Sequence, residues 1–588
     1  MDKSNLRVIS KLMLKLMPIQ ILLAAVSAVN NIVTSYFASN YIGISAMSAV
    51  GLYSPISMLM GALSTLFAGG CAIICGKYLG RNENDKIQNF MSLDLIISSI
   101  TAALFIAFFV IVGTFDLTWI FTNDPAIKPV FSRYILWQAL GVLPFMLGNQ
   151  LAPFLAMENR SKRTLAASLA FIIANLVFDD LFIKVFKLEE LGLALASSLG
   201  LWVFFLVEAQ YFTTKRSMLK LRVRSLDWKD LSPIFVIGFP GAASYLYQTA
   251  RGLILNGLLE VHSGSMGISA YAATNNFMGL FWAVPSGMLA VSRLVMSVSL
   301  GEEDRQSLVD VMRVMFRRFI PIVIAMNVFI ALCAHPFTWL FFKDTSMPAY
   351  GMMVSGLRII PWCMSFSVIY MHFACYGQAI ERHLYVNVLA FLDGVACVAG
   401  FTALLIGSLG IDAVYVSNIM NGLVTTLVII GYAWIKKKRF PKDAEDLMVV
   451  PENFGAAEED RIDISIRTKE EVVSLSDKIR DFCTSKGIDK KRSYYAALAL
   501  EEMAGNIVEH GFEKDSRKHS IDVRVVYKDG DVILRIKDDC IPFDPGERTQ
   551  ISANDDITKN IGIRMVYSLM KEIDYQNILG LNVLTIKI

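Results

Sequence analysis

Charge is what this sequence has least of. Only 18% of its 588 residues are charged, against 54% hydrophobic, which excludes an ordinary soluble globular chain. It also lacks the spacing G-x-x-x-x-G-K-[ST], so a pump driven by ATP through a P-loop is not expected. The eight cysteines fall at no zinc-ligand spacing and imply no disulfide framework. Cys71 and Cys75, four apart on one helix face, read as packing. The opening residues MDKSNLRVISKLMLKLM show no cleavable signal pattern and read as a basic amphipathic lead into a first span.

What is present is a series of long apolar runs. A helix needs about 20 apolar residues to cross roughly 30 Å of hydrocarbon, and that template predicts about twelve spans between Leu12 and Ile435. Basic residues cluster in alternate loops: Arg81 and Lys86, Arg160 to Arg163, Lys215 to Arg224, Arg305 to Arg318, and Lys436 to Arg439. The intervening loops are poor in them, which predicts both termini on the cytoplasmic side of the cell membrane. The loop after the fifth span is the exception, where Lys184 and Lys187 meet Glu189 and Glu190. The runs also repeat. ISAMSA from Ile44 returns as ISAYAA from Ile268, LGRNEND from Leu79 as LGEEDRQ from Leu300, and the Glu158–Arg160 turn as Glu381–Arg382. Two parallel six-helix halves, 1–225 and 226–440, would then enclose a cavity between them.

One span carries acid. The stretch AASLAFIIANLVFDDLFI, from Ala166, holds Asn175, Asp179 and Asp180. A carboxylate at membrane depth costs about 2.5–3.5 kcal/mol on insertion scales. Asp179 with Asn175 therefore reads as a site facing a wet cavity, for a proton, cation or cationic substrate; the alternative places the pair at a helix end. Asp180 reads as interfacial. Asp94, Glu208, Glu260 and Asp393 read as residues near span ends or on contact faces.

After residue 440 the composition turns polar and acidic, with two prolines, and 441–460 reads as a linker. Beyond it, 461–588 alternates strand-like and helix-like patterns. Strands are expected at Ile462–Arg467, Ser520–Tyr527, Val532–Lys537 and Asn582–Ile588, with helices ending near Lys486, over Lys490–His510 and over Ile561–Lys571. Such a mix predicts a two-layer α/β sandwich.

The motifs carry two resemblances. SAVGLYSPI from Ser48, the turn at Leu79, NLVFDDLFI from Asn175 and GFPGAASYLYQ from Gly238 are similar to the multidrug and toxic compound extrusion (MATE) family. The likeness spans about residues 10–435 and implies export of small organic compounds across a lipid bilayer, by proton or sodium antiport. It also departs from the family: Thr34 stands where many members have an acid in the first helix, and Gln248 where some have a Glu in the seventh. Arg251 lies one turn further on. It would pair with an acidic group such as Asp179, contact substrate, or bond locally. Thr34, Asn175, Asp179, Asp180, Gln248 and Arg251 are thus the candidate transport cavity.

LEEMAGNIVEHGF from Leu500, IKDDCIPFDP from Ile536 and NIGIRMVYSLMKEIDY from Asn560 resemble the GHKL (histidine-kinase-like) ATPases, most closely the anti-sigma-factor serine kinases. The resemblance implies Asn506 on Mg²⁺ and phosphate, Glu502 as the catalytic base, and Asp538 on the adenine amino group. It also implies Cys540, Asn560 and Gly562 against the nucleotide, with 546–559 as a lid. Cys540 and Asn560 replace glycines of that pattern, and His510 reads as structural. The whole is expected to be a mainly α membrane exporter with an ATP-binding domain that regulates it or phosphorylates a serine on an anti-sigma-antagonist-like partner. The alternatives are a flippase of lipid-linked or anionic substrates and a membrane receptor kinase. Nothing points to nucleic acid.

Overall fold

The computed structural model describes residues 6–37, 41–42, 44–115, 117–122, 124–125, 127–214, 217–222, 226–452, 454–514, 519–528, 530–548 and 561–588. Eleven of its helices are long and apolar enough to cross a membrane. The predicted seventh span falls in a further helix, Leu231–Phe281, where Gly264 breaks the run with φ 62° and ψ −167°. That region of backbone space is essentially open to glycine alone, so the break is fixed by sequence. After it the helix resumes and continues into Ala283–Gly301.

The internal repeat is visible in four turns. Asn82, Asn159, Glu303 and Glu381 all have positive φ, of 60°, 57°, 51° and 63°. In each, the next N–H reaches back five residues: Glu83 to the Tyr78 carbonyl, Arg160 to Leu155, Asp304 to Ser299, and Arg382 to Gly377. This is the Schellman closure of a helix end, used twice per half at matching places. The first and third turns also abut. A methyl on Gly301 would fall 1.9 Å from the Lys77 carbonyl oxygen, and one on Gly80 would fall 2.3 Å from that of Val298. Only glycine lets the two backbones meet so closely.

The C-terminal domain is a five-stranded antiparallel sheet with three helices on one face. Strands β1 (Arg461–Ile466), β2 (Ile521–Lys528), β3 (Asp531–Asp538), β4 (Glu572–Ile578) and β5 (Leu581–Lys587) lie in the order β1-β2-β3-β5-β4. Alternation sorts their side chains. Val523, Val525, Leu534, Ile536, Leu584 and Ile586 pack under helices Lys469–Ser485, Lys490–Asn506 and Ile561–Leu569. Residues of opposite parity, such as Asp463, Asp522, Arg524, Arg535 and Lys537, point the other way. Strand β4 is not expected from the sequence pattern. Its residues EIDYQNI alternate weakly, and as an edge strand it has a partner on one side only.

The segment read as a linker is less free than its composition suggests. It holds the short helix Ala444–Met448, whose Met448 is buried, as is Val450. Arg305 bonds the carbonyls of Pro451 and Phe454 and pairs with Glu445, while Arg382 bonds the carbonyls of Met448 and Val449. Both arginines sit at the Schellman turns of the second half.

Candidate functional site

The residues expected to share one transport cavity divide between two places. In the first half, Asn175 and Asp179 lie one turn apart on helix Ser161–Asp179 and are fully buried. Asn175 Nδ2 donates to Asn30 Oδ1 at 2.8 Å. Asn175 Oδ1 and both Asp179 oxygens accept nothing among the described residues. Tyr134, whose hydroxyl accepts from Gln138 at 2.9 Å, neighbours Asp179. Three buried acceptors without donors are costly unless a proton or cation meets them. Asp180 points elsewhere: its side chain is half exposed and pairs with Lys184, one turn on in a π-helical segment. The Thr34 side chain lies outside the described residues; its backbone is helical.

In the second half, Gln248 and Arg251 line a separate cavity of about 560 Å³. Arg251 does not meet Asp179. Its Nη1 approaches the main-chain oxygen of Asp393 at 3.4 Å, and the Asp393 carboxylate accepts from Asn421 at 2.8 Å. Asp393 thus lines the cavity, where its sequence position had read as near a span end or on a contact face. A signal for it existed. It lies in the eleventh span, the counterpart of the fifth, and the α-helix there gives way to a π turn at Leu392–Ala396, as it does after Asp179. Arg293, Tyr370 and Asn418 line the same cavity and were also missed. Asp94 and Glu208 are fully buried; the Asp94 oxygens meet no donor among the described residues, and Glu208 lies beside the Thr164 hydroxyl.

In the C-terminal domain, Glu502 and Asn506 end the helix Lys490–Asn506, facing the start of helix Ile561–Leu569. A methyl built on Gly562 would fall 1.6 Å from Glu502 Oε2, so the turn carrying Gly562 rests directly on that carboxylate. Asp538 closes β3 and is buried. Its Oδ1 accepts from the Cys540 N–H at 2.9 Å and from Asn582 Nδ2 at 2.8 Å. Burial raises the Asp538 carboxyl above its usual range, against the pull of those two donors. Asn582, on β5, is therefore the positioning residue for Asp538, and no motif announced it. Cys540 is buried with its sulfur 3.3 Å from where a Gly511 methyl would sit. Its bulk is taken up by the helix end. His510 is exposed in the π turn Ile507–Gly511. Asn560 and most of the expected lid lie outside the described residues.

These residues fit a nucleotide. A buried carboxylate is fixed at a strand end, and a helix opens on a glycine that no other residue could replace without displacing Glu502. Asn506 supplies an amide oxygen suited to Mg²⁺. Among the described residues no group of three or more His, Cys, Asp or Glu is placed to hold a metal ion.

The other face of the sheet is covered by the membrane half. Arg524 pairs with Asp304 at 2.7 Å, Lys537 with Glu302 at 2.6 Å and with Asp304 at 3.1 Å, and Lys528 with Glu303 at 2.6 Å. Burial tends to raise the Asp304 carboxyl. The Arg524 and Lys537 charges and the Ser307 donors outweigh it and hold it well below the usual range. Asp522, half-buried beside Ser465, is instead pushed up by its loss of solvent to about 7. The β4–β5 hairpin adds apolar contact, with Ile578, Leu579 and Val583 buried in the bundle's core. From β4, Asp574 accepts from Asn82 at 2.7 Å.

Comparison with known proteins adds two matches. Residues 18–181 match the MatE family model, and 467–588 that of the histidine kinase-like ATPase domain. The multidrug export protein MepA of Staphylococcus aureus (strain MSSA476) is 24% identical over 258 residues, 42% of this chain and 54% of its own length. The chain thus spans about half the length of that relative. MepA of Staphylococcus saprophyticus subsp. saprophyticus is 20% identical over 426 residues, 72% of this chain and 93% of its own length. A crystal structure of MATE in the straight conformation superposes with a TM-score of 0.68 at 20% identity, covering 76% of this chain and all of the other. A transporter from Pyrococcus furiosus, described as having a binding pocket of reverse polarity, gives 0.66 at 20% identity, over 74% and 98%. At that identity the superpositions show the fold alone.

Proposed function

We propose that this chain, whose residues 18–181 match the MatE model and 467–588 that of the histidine kinase-like ATPase domain, is a gradient-driven exporter regulated by nucleotide. Proton or sodium antiport through the Asn175–Asp179 cluster moves a small organic compound out of the cell, and both termini lie in the cytoplasm. The observation that carries the regulatory part is the docking of one sheet across matching turns of both halves. Opening the bundle at this end requires the turns at Gly80 and Gly301 to separate, and the docked sheet opposes that. ATP with Mg²⁺, bound at Asn506, Asp538 and Gly562, shifts the docking equilibrium and so the transport rate. Linkage requires only that the nucleotide prefer one docking state.

The relatives named multidrug export proteins support a broad organic substrate. A serine-kinase activity is the second reading, favoured by Glu502 and Asn506 standing one turn apart beside the Gly562 turn. In that case Glu502 is the base for a hydroxyl on an anti-sigma-antagonist-like partner.

The test uses the full chain in proteoliposomes under an imposed proton or sodium gradient, with and without ATP and Mg²⁺. The expected result is gradient-driven dye flux whose rate changes with ATP in the wild type and not in Asn506→Ala. Flux that ignores both gradients would sink the antiport reading. Flux that ignores ATP would sink the regulatory one.

A further inference from the structure

We infer that the cavity of the second half binds an organic anion, a carboxylate, sulfonate or phosphate carried on a flat apolar body. The inference deepens the exporter reading by naming its substrate class, and it rests on that reading only for the steps after binding.

The lining is positive in sign. Two guanidinium groups, Arg251 and Arg293, face the cavity, against one carboxylate, Asp393. Neither arginine forms an ion pair with a carboxylate among the described residues. Arg251 has a single long contact, to a main-chain oxygen, and Asp393 feels its charge from beyond ion-pair distance. Asp393 is already engaged by the Asn421 amide. Arg293 lies against Cys375, and its Nε is buried without a hydrogen-bond partner. A guanidinium in a part-enclosed cavity gains from an anionic acceptor, and among the described residues the lining gives neither arginine a carboxylate partner.

Geometry and size favour the same class. Guanidinium forks match carboxylate, sulfonate and phosphate oxygens pairwise. An organic cation entering the same space would meet two like charges with only one opposing carboxylate. The remaining wall includes Tyr245, Tyr271, Trp282 and Tyr370, faces suited to a planar apolar body. A volume of about 560 Å³ suits a small organic molecule and exceeds what an inorganic ion needs.

The experiment measures fluorescence anisotropy of two probes on the purified full chain, 5-carboxyfluorescein as the anion and ethidium as the cation. The expected result is saturable binding of carboxyfluorescein, weakened at least tenfold by Arg251→Gln and by Arg293→Gln. Arg251→Lys should retain part of it, and Asp393→Asn, which removes the one carboxylate of the lining, should strengthen it. Thermal unfolding of each variant separates lost binding from lost fold, and a variant that unfolds is replaced by its lysine counterpart. Binding of ethidium in preference to carboxyfluorescein, or no binding of either, overturns the assignment. So does anion binding that both glutamine variants retain. Anion binding without gradient-driven flux leaves the site standing and removes the exporter reading instead.

Discussion

Asn82 and Glu303 hold matching left-handed positions in the two halves of the bundle, and one small domain grips both. Asp574 of β4 accepts from Asn82, and Lys528 of β2 pairs with Glu303. A single five-stranded sheet thus bridges the two halves whose relative motion the proposed transport requires.

The docked face predicts a mutational cost. Asp304→Asn leaves Arg524 and Lys537 buried beside a neutral group, and removing one member of a buried ionic cluster costs about 3–5 kcal/mol. Hydrogen exchange of β2 and β3 amides should accelerate strongly, while amides of the helix layer change less. Equal acceleration throughout the domain would mean that the cluster supports the domain's own fold rather than its docking.

Acidity acts on the same face with two signs. Asp304 has a depressed folded value, so its contribution is present above the unfolded value near 4 and lost as pH falls below it. Asp522 has a raised one, about 7, so the folded state loses stability as pH rises from about 4 to 7. Asp522→Asn should therefore raise the domain's Tm at pH 8 and change it little at pH 4, read by calorimetry on the full chain.

Gly562→Ala places a methyl where the Glu502 carboxylate now lies. The expected outcome is ATP affinity reduced at least tenfold, equivalent to about 1.4 kcal/mol, with the domain still folded. Titration with a fluorescent ATP analogue checks the first and circular dichroism the second.

If the domain transfers phosphate, Glu502→Ala should abolish ³²P incorporation into a partner protein while nucleotide binding survives. Incorporation at the wild-type rate would remove Glu502 from the role of base.

Asp179→Asn keeps the shape of the first-half cluster and removes its ionisable group. Ion-driven flux in proteoliposomes should fall to background. Full flux in this variant would transfer the coupling role elsewhere, with Asp94, Glu208 and Asp393 the buried acids to test next.

Much of this architecture was legible from the chain. Apolar runs of sufficient length announce their own helices, and the three nucleotide motifs mark a fold by fixed chemistry at fixed offsets. The alternation in β2 and β3 was clear because each strand is covered on both faces, one apolar and one ionic. What remained hidden depended on distant partners. Asp393 joins a cavity only because the π turn at Leu392–Ala396 and the helix bearing Arg251 bring it there. Asn582 reads only as the start of the last strand until β5 lies beside the end of β3 and brings it to Asp538. The acidic run Glu302–Asp304 shows in the sequence only as part of a repeat, and nothing local says that Arg524, Lys528 and Lys537, more than two hundred residues on, will cover it.

The anchoring of the 441–460 segment by Arg305 and Arg382 has a kinetic and thermodynamic sequel. A domain tethered by so short a free length re-encounters its seat at an effective concentration in the millimolar range, whatever the expression level of the protein. Occupancy of the seat becomes a property of each molecule alone. A ligand with a differential affinity of only a few kcal/mol can then switch it, and dilution cannot.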